Sequence, residues 1–144
     1  MDSFVIEQTR LGECESLELL QSFDQFFHPC LSTLLDLKDF AVKLAQNANW
    51  ILCKSKERTV AYMAFYRNYE THVDYIASYC EIPANNHNLE RVLHFLINNT
   101  PSCISETRFR CRKERLNDIN LFEGLGFNII EDLGENYMLK RLNS

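Results

Sequence analysis

The run from His72 to Asn98 changes its periodicity partway along, and that change limits the chain more than any other feature. Val73-Asp74-Tyr75-Ile76-Ala77-Ser78-Tyr79-Cys80 is rich in β-formers and reads as a strand. Leu89, Val92, Leu93, Leu96 and Ile97 then recur at helical spacing, with polar, proline-containing sequence from Glu81 to Asn88 in between. Asn88 is the predicted N-cap, since its side-chain oxygen can accept from an orphan N–H of the first turn. A strand that feeds a short loop and a helix start commits the chain to a sheet carrying helices. It is also a general device for holding an anion, because unpaired N–H groups and the positive helix end face the loop. An ordinary connection stays open as the other reading: the loop has no glycine, and Glu90 complements the same helix end.

The other elements follow from the same periodicities. Phe4 to Gln8 reads as a first strand, and Gly12 to Phe23 as a helix through Leu17, Leu20 and Phe23. Pro29 interrupts it, because proline lacks a donor and disfavours helix at the residue before it. Asp36 or Asp39 caps a second helix that ends near Asn47. Trp50 to Lys54 and Thr59 to Tyr66 form a hairpin about the turn Ser55–Arg58, and a second turn over Arg67–Thr71 leads to the strand at Val73. Glu106 to Arg112 alternates Thr107, Phe109 and Cys111 with Arg108, Arg110 and Arg112, the pattern of a strand with one apolar face. A helix from Asn117 ends at Gly126, and two strands, 127–131 and 137–141, turn at Gly134. The order β-α-α-β-β-β-α-β-α-β-β gives a mixed α/β sheet with helices on its faces.

A chain of 144 residues is expected to form one domain that buries about two-thirds of its unfolded surface. A net charge of −5 argues against nucleic acid or an anionic membrane as a general partner, since nothing overall draws the chain to phosphate. Met1 to Glu7 has no basic region ahead of an apolar one, and no apolar run approaches the ~18 residues of a spanning helix. Cys14, Cys30, Cys53, Cys80, Cys103 and Cys111 form no CxxC pair and have no histidine at metal spacing. Reduced, mostly buried thiols and a cytoplasmic location are expected, with no metal.

Leu121-Phe122-Glu123-Gly124-Leu125-Gly126-Phe127 resembles the "LYEKLGF" segment of the GCN5-related N-acetyltransferases (GNAT). The element order is similar to theirs over nearly the whole chain, and Phe27–Ser32 and Lys38–Leu44 look like the substrate-side helices of one branch of small members. The resemblance implies a GNAT-like acyl-CoA N-acyltransferase fold: a mixed, mostly antiparallel central sheet with helices on both faces. It also implies acetyl transfer from acetyl-CoA to a primary amine of a small molecule. The chain departs from the pattern in three places. The family's Gln/Arg-x-x-Gly-x-Gly/Ala loop corresponds to Asn85-Asn86-His87-Asn88-Leu89, one residue shorter and without glycine or arginine. Phe122 stands where the family often has a tyrosine that protonates the CoA thiolate, and Arg115 where it often has an asparagine.

Carried over residue by residue, the resemblance puts the pantetheine arm against Cys80 and Ile82. It puts Asn85 in the CoA-binding loop and the diphosphate on the N–H groups of Asn86, His87, Asn88 and Leu89, with His87 or Arg91 adding charge and Arg115 available to a further phosphate of CoA. Phe27, His28, Tyr66 and Tyr75 would face the acceptor amine. The transfer needs a fixed thioester, a group for the departing proton, and stabilisation of the carbonyl oxygen. Tyr79 is the stand-in for the missing tyrosine, and Glu81 and His72 are the further candidates for proton transfer. The Arg108–Arg115 cluster could meet a phosphate, or it is a solvated face offset by Glu106, Glu114 and Asp118. A non-catalytic protein of the same fold, binding a ligand or a partner protein, remains the alternative. A homodimer through the late strands or the Trp50 region is also left open.

Overall fold

The computed structural model describes residues 3–27, 29–83 and 87–143. Three of the expected site residues, His28, Asn85 and Asn86, lie outside the described residues. All seven strands belong to one sheet with the spatial order β1-β2-β3-β4-β5-β7-β6. β1 (Phe4–Thr9), β2 (Asn49–Ser55), β3 (Arg58–Asn68) and β4 (Val73–Glu81) form an antiparallel meander. β5 (Glu106–Arg112) runs parallel to β4, and β7 (Asn136–Leu142) and β6 (Asn128–Asp132) continue antiparallel from it. The sheet is therefore mixed and mostly antiparallel, as expected, and the element order is the one read from the sequence. Among the described residues no helix is long and apolar enough to cross a membrane.

Helices cover both faces. α1 (Glu13–Phe23) and α2 (Leu37–Asn47) lie on one side, where Leu20, Phe23 and Leu44 pack on Trp50, Leu52 and Tyr62. Asp36 is the N-cap of α2 and accepts from the N–H groups of Lys38 (2.9 Å) and Asp39 (3.1 Å). α3 (Asn88–Asn99) and α4 (Leu116–Gly124) lie on the other side, over Met63, Phe65, Ile76, Phe109 and Leu139. Trp50 is fully buried against Tyr62, with ring centroids 5.3 Å apart, so it offers no surface to a second copy. Of the cysteines, only Cys53, Cys80 and Cys111 are buried; Cys14 and Cys103 are exposed, so the expectation of mostly buried thiols holds for half of them.

Two ends differ from the sequence reading. His87, not Asn88, is the N-cap of α3, and it adopts a left-handed conformation (φ 70°) without a side-chain capping bond. Asn88 is instead the buried first residue of the helix, where its Oδ1 accepts from Arg91 at 2.6 Å. A local rule that ranks Asn above His at a cap does not register that the side chain is needed inside. The last helix spans Leu116–Gly124, and the glycine beyond it works as expected. Gly126 (φ 98°) donates to the Glu123 carbonyl and Phe127 to that of Phe122, which is a Schellman closure with its apolar contact.

Candidate active site

The opening between β4 and β5 has a cause in register. β3 pairs with β4 through Ala64↔Ser78 and then Phe65↔Ile76, so Ala77 is one extra residue in β4. Such a bulge bends the strand and increases its twist. Parallel pairing with β5 covers only Val73↔Glu106 to Ile76↔Phe109, which stops where the bulge begins. Beyond it β4 stays paired to β3 as far as Glu81, and β5 to β7 as far as Arg112, so the two strands part. A cavity of about 150 Å³ lies in the gap, between Ile76–Tyr79 and Arg110–Arg112, with Phe27 and Arg115 in its wall.

Three expected site residues therefore meet at this cavity: Tyr79, Arg115 and Phe27. The Tyr79 ring packs edge-on against Phe109 (5.9 Å) and Phe122 (5.3 Å), in the space that the strands leave. Its hydroxyl donates to Asp118 Oδ2 at 3.0 Å and lies 3.5 Å from Cys111 Sγ. Burial pushes the phenol well above its ordinary pKa, and the Asp118 carboxylate adds to the rise. The same Asp118 oxygen takes Arg115 Nε at 2.7 Å, and the Arg115 guanidinium lies 5.5 Å from the Tyr79 ring centre and 5.7 Å from that of Phe27. Phe122 is fully buried in this cluster and presents no ionisable group.

Alternation along β4 puts Tyr79 and Glu81 on one face and Cys80 on the other. Cys80 packs beneath α1 and α2, and burial lifts its thiol to about 12. Glu81 turns toward α3, where its carboxylate accepts the Leu89 N–H at 3.0 Å. Burial raises the Glu81 pKa, against the opposing pull of the Leu89 and Asn88 N–H groups. One donor assigned to a diphosphate is thus already engaged by a carboxylate of the chain itself. Ile82 is half-buried and packs against both core clusters. His87 is exposed with Nδ1 3.3 Å from Glu90, while Arg91 lies 3.8 Å above the Phe4 ring, turned toward β1.

The remaining expected residues are elsewhere. His72 precedes β4 at its far end, roughly 30 Å from Glu81 at ~3.3 Å per residue. Its left-handed backbone (φ 61°) closes the turn, and its carbonyl accepts from Ser105 N at 2.8 Å. Tyr66 and Tyr75 are register partners, Tyr66 half-buried and Tyr75 exposed, and they line a separate surface pocket with Asn47, Arg67 and Tyr69 instead of the cavity. The acids that offset the basic cluster are its actual partners: Glu106 for Arg108, Glu114 for Arg112, and Asp118 for Arg115, each at 2.7 Å. Sequence reasoning weighed Asp118 only as one of those counterions. Its place three residues after Arg115, in the first turn of α4, was the available signal; its bond to Tyr79 depends on how the strands part.

No protein-family model matches the chain, and no curated protein sequence is similar to it. Its three-dimensional structure is similar to those of several solved proteins. A Pyrococcus horikoshii OT3 protein matches with TM-score 0.80 at 12% identity, over 99% of each chain. The ribosomal-protein-S18-alanine N-acetyltransferase of Escherichia coli matches with TM-score 0.77 at 14% identity, over 97% of this chain and 95% of that one. The PaiA N-acetyltransferase of Thermoplasma acidophilum, solved in complex with coenzyme A, matches with TM-score 0.74 at 11% identity, over 96% and 99%. With its parted β4 and β5 between two layers of helices, the chain has the acyl-CoA N-acyltransferase fold of the GNAT acetyltransferases.

Proposed function

We propose that the protein is an N-acyltransferase that moves an acetyl group from acetyl-CoA to a primary amine of a small molecule. One observation carries this reading: β4 leaves β5 past Ile76, and the gap holds a cavity edged by Tyr79, whose hydroxyl is held by Asp118. Acetyl-CoA supplies an acyl group activated as a thioester. The residues present are compatible with such a ligand, because the unpaired edge of β4 from Ala77 to Glu81 has main-chain groups free of β5. Those groups bind and orient the ligand along the strand.

Tyr79 is neutral and fully protonated at pH 7, so it acts as an acid and not as a base. As the amine nitrogen bonds to the acyl carbon and the carbon–sulfur bond breaks, the Tyr79 hydroxyl gives its proton to the leaving sulfur. Arg115, over the face of the ring, favours the phenolate left behind. Glu81 takes the proton lost by the amine, through solvent, and its raised pKa suits that task.

A non-catalytic reading is favoured by one specific observation, the Glu81–Leu89 bond, which sets a carboxylate at the helix end a diphosphate would use. Calorimetry with CoA and acetyl-CoA, followed by thiol release across a panel of amines, separates the two. Binding with release supports the transferase, and binding without release supports the non-catalytic protein. No heat at millimolar ligand removes the acyl-CoA reading.

A further inference from the structure

The cavity beside Tyr79 has walls of opposite character. One side is apolar, from Phe27, Leu31, Leu34 and Ile76; the other carries Arg110, Arg112 and Arg115, and among the described residues no acidic one lines it. Two of those cations are already neutralised. Arg112 pairs with Glu114 and Arg115 with Asp118, each at 2.7 Å. Arg110 is exposed at the rim, and among the described residues no carboxylate pairs with it. Its neighbour across the ladder is Met138, so the β7 side of the strand offers no counterion either. Cations paired from behind still reject a second ammonium, while an unpaired guanidinium at the mouth accepts a carboxylate in a bidentate fork.

Size narrows the class further. A cavity of about 150 Å³ is at the small end for a ligand site and suits a small molecule. Resting on the acetyl-transfer reading above, we propose that the acceptor is a small amino acid, its carboxylate held by Arg110 and its side chain against the Phe27–Leu34 wall. A simple amine or a polyamine carries only positive charge to this site and lacks that anchor.

The experiment pairs each acceptor with its neutral twin. Thiol release from acetyl-CoA is followed with small apolar amino acids and with the corresponding amino-acid amides, which keep the amine and lose the charge. The expected result is a KM about tenfold lower for the acids, and a ratio near one in Arg110→Gln. Equal KM values for acid and amide overturn the proposal while leaving the transferase intact. Faster transfer from succinyl-CoA than from acetyl-CoA to the amides, lost in Arg110→Gln, puts the carboxylate on the acyl group and also overturns it. If no acceptor releases thiol, the transferase reading fails on its own. The cavity is then tested by thermal shift: stabilisation by the amino acids and not the amides, abolished in Arg110→Gln, supports the carboxylate site, and equal shifts sink it.

Discussion

Tyr79 and Glu81 stand two positions apart on the same face of β4 and meet opposite fates. The Tyr79 phenol is buried, neutral and bonded to a charged acceptor, so Tyr79→Phe isolates one hydroxyl without disturbing the ring packing. Thiol release with acetyl-CoA should slow about 10²- to 10⁴-fold, the usual worth of a positioned proton donor. Urea unfolding should show a loss of about 1–3 kcal/mol from the missing charge-assisted bond. For Glu81, burial outweighs the two N–H groups and the folded pKa lies above the unfolded one. The folded state then holds the proton more tightly, so the favourable contribution is present at low pH and fades as pH rises through the folded pKa. Denaturation of wild type and Glu81→Gln between pH 4 and pH 8 should show wild type losing ground to the variant as pH rises. A constant difference would mean that Glu81 does not titrate differently on folding.

Among the elements, β5 was the easiest to read, because strict alternation from Glu106 to Arg112 states which face is buried. α4 came with its own stop signal. A side chain at Gly126 would have to adopt φ 98° with its Cβ 3.3 Å from Arg141 Nε, the atom that donates to the Leu125 carbonyl. Gly126→Ala should therefore lower stability by about 1–3 kcal/mol in thermal unfolding and loosen the helix that carries Asp118. The start of α3 was misread because capping preference is local, whereas Asn88 is held by burial. His72 was misjudged for a related reason: closeness in sequence to β4 does not say which end of a strand a residue occupies. The wall of the candidate cavity was legible where it lies on one strand, at Tyr79, whereas Cys80 packs on the opposite face. The site was illegible where two strands and a helix converge, as at Asp118 and the cavity wall opposite Phe27.

At the scale of the whole molecule, the fold puts two hydrophobic layers on one twisted sheet and opens its ladder where β4 and β5 part. That interruption rests on Ala77. Without this one alanine, Phe65↔Ile76 and Ala64↔Ser78 become consecutive pairs, so the residues downstream keep their faces and only the bend is lost. Ser78 would keep its hydroxyl partner Tyr62, Tyr79 its place beside Phe109 and Phe122, and Cys80 its place beneath α1 and α2. A straightened β4 could then zip against β5 beyond Ile76, so the deletion variant should retain its strand signal in circular dichroism yet give no heat with CoA. One surplus residue with little chemistry of its own would then be what keeps this sheet ajar.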